Sequence, residues 1–359
     1  MLTYTNMRKS ILITGGAGFI GSYLAVNFKK HFPRSSVIVI DSLVRKGSSH
    51  NVSLLKKYKI KFIKGDVKNK AVFSRLPKVN ILIDCAADSR VLAGYKSSVR
   101  ELVDSNFLGT INSLDYAARV KADFIFLSTS RVYPFDKINC LNYTRRKSRF
   151  YLACRRKGVS LWGIREDFPL QGIHSFYGAT KLASEYFIKE YAYAYNLRTV
   201  INRCSIISGP GQFGHSKQGI VSYWLASFLF KRPLKYIGWG GEGLQVRDAL
   251  HIADLFNLVL KQIKHIEKIK GKIYNVGGGQ KNSFSLKELS HRCQKITANK
   301  IKVDKIKKDR PADVIWYISD CRRLKNDLGW KPQKTLEDIL EDTKRWIINN
   351  RRLVSSIIS

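Results

Sequence analysis

A short apolar run, Ser10-Ile-Leu-Ile-Thr14, is followed at once by Gly15-Gly-Ala-Gly18-Phe19-Ile20-Gly21 and then by a helical pattern that runs through Asn27 to His31. That order leaves few folds open. The apolar run reads as a buried strand. Gly15 permits the tight turn, Gly18 lets the backbone approach a pyrophosphate, and Gly21 lets helix and strand pack closely. Free N–H groups at the helix start, where Phe19 and Ile20 stand, then meet the phosphates. Val37-Ile-Val-Ile40 reads as a second strand, ending in Asp41. A carboxylate there accepts both hydroxyls of an adenosine ribose and repels a 2′-phosphate. The expected cofactor is therefore NAD, while Arg45 and Lys46 nearby leave NADP open.

Further strands follow at Lys61-Phe-Ile-Lys-Gly-Asp66-Val67 and at Asn80-Ile-Leu-Ile-Asp84, the latter ending in Ala86 and Ala87. These small residues let a cofactor lie close. A helix runs from Asn106, which joins the cofactor set, through Ala118. Asp123-Phe-Ile-Phe-Leu127 is a fifth strand ending in Ser128-Thr129-Ser130, and Arg198–Arg203 is a sixth. Alternating apolar strands and helices predict an α/β fold: a Rossmann-type, doubly wound parallel sheet, with a smaller C-terminal substrate-binding lobe. Residues 8–203 are expected to hold NAD, with about 247–275 returning to that domain. Residues 204–246 and 276–352 are expected to form the substrate lobe. Residues 134–176 form an insertion too long for a structureless loop. Ser148–Cys154 and Val159–Ile164 within it are expected to pair as a hairpin, in a flap over the site.

The chemistry is expected at Tyr177-Gly-Ala-Thr-Lys181, which opens a helical pattern. Residues four apart on a helix share a face, so the ammonium can sit close to the phenol. A free phenol has a pKa of about 10 and is a poor base at neutrality. A fall of roughly three units, about 4 kcal/mol, would make it a good one. A lysine cation and a positive cofactor ring both favour the phenolate. The bland alternative is an ordinary amphipathic helix. In a doubly wound sheet the site lies at the carboxyl ends of the strands, where Thr129 and Tyr177 both fall.

Hydrophobic residues make up 44% of the 359-residue chain, a globular composition. The opening segment lacks the apolar core of a signal peptide. The apolar run Gly219–Phe230 is too short to span a bilayer. Six scattered cysteines form no zinc-spaced cluster, so no metal is expected and a reducing cytoplasm is. Lys and Arg total 64 against 27 acids, a formal +37. The dense blocks at Tyr143–Lys157, Lys261–Lys272 and Lys300–Arg310 are not interleaved with aromatics as a base-stacking surface would be. Nucleic acid is thus not the expected partner, and part of the charge can attract an anionic sugar nucleotide.

Taken together, Gly15-x-x-Gly18-x-x-Gly21, Asp41, Gly65-Asp66-Val67, Ser128-Thr129-Ser130-x-Val132-Tyr133 and Tyr177-x-x-x-Lys181 resemble the extended short-chain dehydrogenase/reductases. These are the NAD-dependent nucleotide-sugar epimerases and dehydratases. The likeness is strongest to the CDP-paratose 2-epimerase branch, through Gly211-Gln212-Phe-Gly, Gln218-Gly, Gln245-Val-Arg247-Asp and Tyr317-Ile-Ser-Asp. The resemblance implies Thr129 as the hydroxyl bonded to the reacting sugar oxygen, Tyr177 as acid/base, and Lys181 as its partner and the holder of the nicotinamide ribose. It implies Arg247 and Arg310 on the substrate diphosphate, Gln212 and Gln218 in the sugar or base pocket, and a homodimer. Dehydratases of the family carry an Asp-Glu pair after the active-site threonine, where Ser130-Arg131 stands here. The 4-epimerases carry an asparagine where Ile206 stands. The implied activity is inversion of a ring carbon through a keto-sugar, at carbon 2 of a CDP-dideoxyhexose. Two other readings stay open: a nucleotide-sugar 4-ketoreductase or dehydrogenase, and a non-catalytic Rossmann protein that binds RNA through its basic surface.

Overall fold

The computed structural model describes residues 9–95, 97–154, 156–216 and 218–358. Residue 8, where the expected cofactor domain begins, and Arg155 in the first basic block lie outside the described residues, as does the opening segment 1–7.

Among the described residues, seven parallel strands form the central sheet: β1 (Ser10–Thr14), β2 (Ser36–Asp41), β3 (Lys61–Lys64), β4 (Ile81–Asp84), β5 (Asp123–Thr129), β6 (Thr199–Cys204) and β7 (Lys272–Val276). Their order is β7-β6-β5-β4-β1-β2-β3. The order reverses beside β1, and in open α/β sheets ligands bind at such a switch point. Helices cover both faces, so β5 and β6 are buried along their whole length. On one face α1 (Phe19–His31) packs with Val37, Val39, Leu255 and Leu258. On the other, α2 (Gly109–Val120) and α3 (Phe176–Ala194) contribute Leu114, Ala117 and Ile188 beside Phe124 and Phe126. A single π-helical turn, Asp104–Leu108, leads into α2.

After β6 the chain builds a second core. α4 (Ile220–Leu229), α5 (Ile252–Lys264), α6 (Leu286–Thr297) and α7 (Leu336–Asn349) follow in order. Of these, α4, α6 and α7 enclose Trp224, Phe228, Leu289, Ile339 and Leu340. The strand Val246–His251 runs between Ile206–Ser208 and Ser283–Ser285, and Leu234–Ile237 pairs with Val303–Ile306. The chain returns to the first core through α5, which packs on α1, and through β7 at the sheet edge.

The insertion corrects one expectation. Ser148–Cys154 does not pair with Val159–Ile164. Tyr143–Arg146 pairs with Arg149–Leu152, and Val159–Ser160 pairs with Gly163–Ile164. Each strand finds its partner across a short turn, which costs less loop entropy than the longer closure. Both hairpins are held against C-terminal segments. Phe150 N donates to Leu244 O at 3.1 Å, and the Ser285 hydroxyl donates to Ser148 O at 2.6 Å. Ile164 N donates to Ile318 O at 2.8 Å.

One buried ion pair ties α3 to the sheet. Arg203 on β6 meets Glu185 on α3 at 2.7 Å, with side chains 2% and 1% exposed. Ser128 and Tyr133 complete it, at 2.6 Å to Glu185 and 3.1 Å to Arg203. Removing one partner of such a pair strands the other charge. Glu185→Gln is therefore expected to lower unfolding free energy by about 3–5 kcal/mol in urea titrations. A loss below about 1 kcal/mol would show that the pair does not hold the helix in place.

Candidate active site

The turn after β1 is built for close approach. Gly15 has φ +61°, and a Cβ there would lie 2.9 Å from the Ala86 backbone. A Cβ at Gly21 would lie 2.3 Å from the Gly15 carbonyl oxygen. At Gly18 the nearest atom would be the Gly15 oxygen at 3.1 Å, so the space ahead of it is open to a ligand. Gly18 caps α1, whose first turn has no acidic residue, which leaves its N–H groups to an anion. Phe19 and Ile20 pack back on the core.

Asp41 closes this turn. Its carboxylate accepts from Ala17 N at 3.0 Å and Leu43 N at 2.8 Å. About two lone-pair sites of an ionised carboxylate remain, which suits ribose hydroxyls. Arg45, Lys46 and Asn51 line the cleft in front of Ala17 and Gly18. Farther along, Ala86 N donates to the Thr14 hydroxyl at 3.2 Å, with half-buried Ala87 after it. Val67 packs against Gly109, and Asp66 pairs with Lys68 at 3.3 Å. Asn106 lies in the π turn and is fully buried. Its amide bonds the Asp88 backbone at 2.7 and 3.1 Å and Thr180 at 3.3 Å. Asn106 is thus a strut between the loop after β4 and the tyrosine helix.

Thr129 and Tyr177 face each other at the carboxyl end of β5, while Lys181, one turn along α3, lies over Phe126 of the same strand. Ser175 caps α3 by accepting from Gly178 N at 3.0 Å, which fixes the helix start at the tyrosine. The phenol is buried, and burial pushes its pKa up to about 12. A hydrogen bond with Thr129 and the Arg131 cation pull the other way. The expected lowering by Lys181 is not found in the protein alone. The ammonium is 1% exposed and lies 4.1 Å above the Phe126 ring. Burial lowers its pKa, while Asp84, Cys85, Cys204 and Glu185 raise it. Sharing a helix face set the direction of the side chain but not which charges surround its end.

Lys181 Nζ has no hydrogen-bond partner among the described residues. A buried, unpartnered ammonium is costly. It fits the ribose hydroxyls of a nicotinamide nucleotide, as the open space at Gly18 fits a pyrophosphate. The residues present therefore suit a dinucleotide along the crevice.

The residues expected on substrate divide. Gln212 is turned inward: its amide bonds Ser208, Ser222 and the Ile207 carbonyl at 2.8, 2.7 and 2.9 Å. This is a holding role in the lobe, not a pocket contact. Gln218 reaches across from the C-terminal lobe to the Ser89 hydroxyl in the loop after β4. Arg247 donates to Asp313 at 2.7 Å and to the Val314 carbonyl at 2.6 Å, and burial lowers its pKa to about 10. Arg310 is half-buried, in the turn where Asp313 N donates to its carbonyl at 3.3 Å.

Three contributors were not singled out from the sequence. Asp84 is fully buried, accepts from the Thr14 and Thr110 hydroxyls, and faces Lys181. Its signal was an acid ending an apolar strand. Glu185 lies two turns beyond Tyr177 on the same face, a spacing that could have flagged it. Asp313 carries no local signal, because its arginine partners come from distant segments. Among the described residues, no His/Cys/Asp/Glu cluster fit for a metal occurs, and no helix is long and apolar enough to cross a membrane.

Comparisons with known proteins show the family of the chain. The sequence profile of the NAD dependent epimerase/dehydratase family matches residues 11–277. The chain is similar to CDP-paratose 2-epimerase of Salmonella typhi, with 28% identity over 94% of this chain and 98% of the relative. It is also similar to dTDP-glucose 4,6-dehydratase of Neisseria gonorrhoeae, with 26% identity over 97% and 98% of the two chains. The fold superposes on the dTDP-glucose 4,6-dehydratase of Bacillus anthracis in complex with NAD, with a TM-score of 0.76, 24% identity and coverage of 97% and 99%. The chain belongs to the NAD-dependent epimerase/dehydratase family of nucleotide-sugar enzymes, within the extended short-chain dehydrogenase/reductases.

Proposed function

We propose that this enzyme is an NAD-dependent nucleotide-sugar epimerase that inverts a ring carbon through a transient keto-sugar. The observation that carries the reading is the turn after β5. The Thr129 hydroxyl faces the Tyr177 phenol and draws its pKa down against burial, and the next two residues are Ser130 and Arg131. Elimination of a hydroxyl needs a carboxylic acid to protonate the leaving oxygen. This turn has no such acid. Inversion needs none: it needs a hydroxyl to hold the sugar oxygen and a base to take and return one proton.

In this reading Gly15, Gly18, Asp41 and Lys181 hold NAD, which when bound supplies the hydride acceptor and donor. Tyr177 takes the sugar hydroxyl proton and later returns it. Thr129 orients the oxygen between them. Arg247 and Arg310 hold the diphosphate, for which a guanidinium fork is suited. Full-length similarity to a CDP-paratose 2-epimerase supports carbon 2 of a CDP-dideoxyhexose as the substrate class. Residues Leu108, Tyr186, Phe187 and Tyr193 on and beside α3 are exposed, a face that a second copy would cover in a homodimer. Free cysteines throughout the described residues suit a reducing cytoplasm.

Two measurements test the chemistry. Tyr177→Phe is expected to lower kcat by about 10²–10⁴-fold with NAD still bound. Wild-type turnover should leave absorbance at the reduced-nicotinamide band unchanged, and steady accumulation there would mark a dehydrogenase instead. The pH dependence of cofactor affinity is a second check. A bound nicotinamide cation favours the phenolate, so it lowers the Tyr177 pKa from about 12. NAD⁺ affinity should then rise with pH, by up to about tenfold per unit, between the bound-state pKa and the free value. Tyr177→Phe should flatten that slope in a fluorescence titration. A flat profile in the wild type would remove the phenolate from the account.

A further inference from the structure

We propose that Arg131 selects the carbon that is inverted: it holds the sugar-linked phosphate beside Thr129 and Tyr177, and so presents carbon 2. The inference rests on the epimerase reading. Arg131 is joined to both catalytic side chains' supports. Its N–H donates to the Thr129 hydroxyl at 3.2 Å. Its carbonyl oxygen would lie 2.1 Å from a Cβ at Gly178, in the first turn of α3. Its guanidinium, 23% exposed, donates to Ala312 O at 3.1 Å and lies 3.9 Å from Asp313.

Asp313 is already engaged by Arg247 at 2.7 Å on the same oxygen. One carboxylate therefore faces two guanidiniums, and one positive charge is left over in a half-buried place. Arg131 is also among the charges that lower the Arg247 pKa, after burial, as a like-charged neighbour does. Arg310 opens the same 310–313 turn. The arginines thus run from the proposed diphosphate site up to the catalytic turn itself. Such an excess suits a phosphate of the diphosphate, whose negative charge and paired oxygens accept a guanidinium fork.

The chemistry of the substrate turns this into a positional argument. In a nucleotide sugar the diphosphate hangs from the anomeric carbon. Carbon 2 is bonded directly to that carbon, whereas carbon 4 lies across the ring. A cation two positions past Thr129 keeps the phosphate next to the reacting oxygen, which places carbon 2 there. Presenting carbon 4 would move the phosphate away by the width of the ring and leave Arg131 facing neutral hydroxyls.

The test uses the NAD-loaded enzyme with CDP-paratose, UDP-glucose and dTDP-glucose, each carrying deuterium at carbon 2 or at carbon 4. The expected result is that the label at carbon 2 slows turnover and the label at carbon 4 does not. Arg131→Met should raise KM for the accepted sugar nucleotide by about 10–100-fold with bound NAD and thermal midpoint unchanged, and Arg131→Lys should recover part of the loss. A slowing by the carbon 4 label, an unchanged KM, or loss of bound NAD in Arg131→Met would each overturn the proposal and leave the epimerase reading standing. An NAD-loaded enzyme that binds these sugars but inverts no carbon would instead overturn the epimerase reading, and this proposal with it.

Discussion

The position of the Tyr177 phenol depends on a charge pair that never meets water. Glu185 and Arg203 lock the second turn beyond Tyr177 to β6. Taking two charges out of solvent costs several kcal/mol per ion, and their attraction offsets this only when the remaining lone pairs and protons are satisfied. Here they are: Ser128, Tyr133 and the Glu166 carbonyl fill the remaining positions. The network then extends through Tyr133 to Asn275 on β7. A helix held this way cannot rotate by a fraction of a turn to relieve strain near the substrate. The fixed rotation keeps the phenol and the Thr129 hydroxyl in register.

Around that anchor, the electrostatics of the site are unfinished in a specific way. The phenol's pKa is raised by burial, the lysine's is lowered by burial, and the charge of Asp84 pulls the lysine's back up. Burial disfavours the charged form of both the phenol and the lysine. The orphaned ammonium and the open space at Gly18 describe the shape of what completes them. Family membership supplies its identity, NAD.

Much of this was legible in the sequence, for identifiable reasons. The glycine turn, Asp41 and the Tyr177–Lys181 spacing are local patterns, and backbone geometry translates them directly into position. The alternation of apolar strands with helices likewise pointed to the parallel sheet, while its strand order and switch point came from the structure. What failed was whatever depended on partners far along the chain. Lys181 was read against Tyr177, four residues away, but its charge environment comes from Asp84 and Cys204 on other strands. Gln212 was read as a pocket residue, but Ser208 and Ser222 claim its amide. Ser148–Cys154 and Val159–Ile164 were read as partners, but each pairs instead across its own short turn. Asp313 was invisible because its meaning lies in sitting between Arg131 and Arg247.

The first hairpin of the insertion carries a lesson for swapping parts among relatives. Glu288 closes the capping box of α6 with Ser285 and at the same time receives Arg149 at 2.9 Å from the hairpin. Ser285 in turn donates to the hairpin backbone at Ser148. One acid and one hydroxyl thus terminate a helix in one half of the chain and seat a ribbon from the other. A chimera that exchanged this ribbon without α6, or α6 without the ribbon, would lose the contacts of Arg149 and Ser148 that seat the ribbon on the helix start. The two segments, more than a hundred residues apart, form a single transplantable unit.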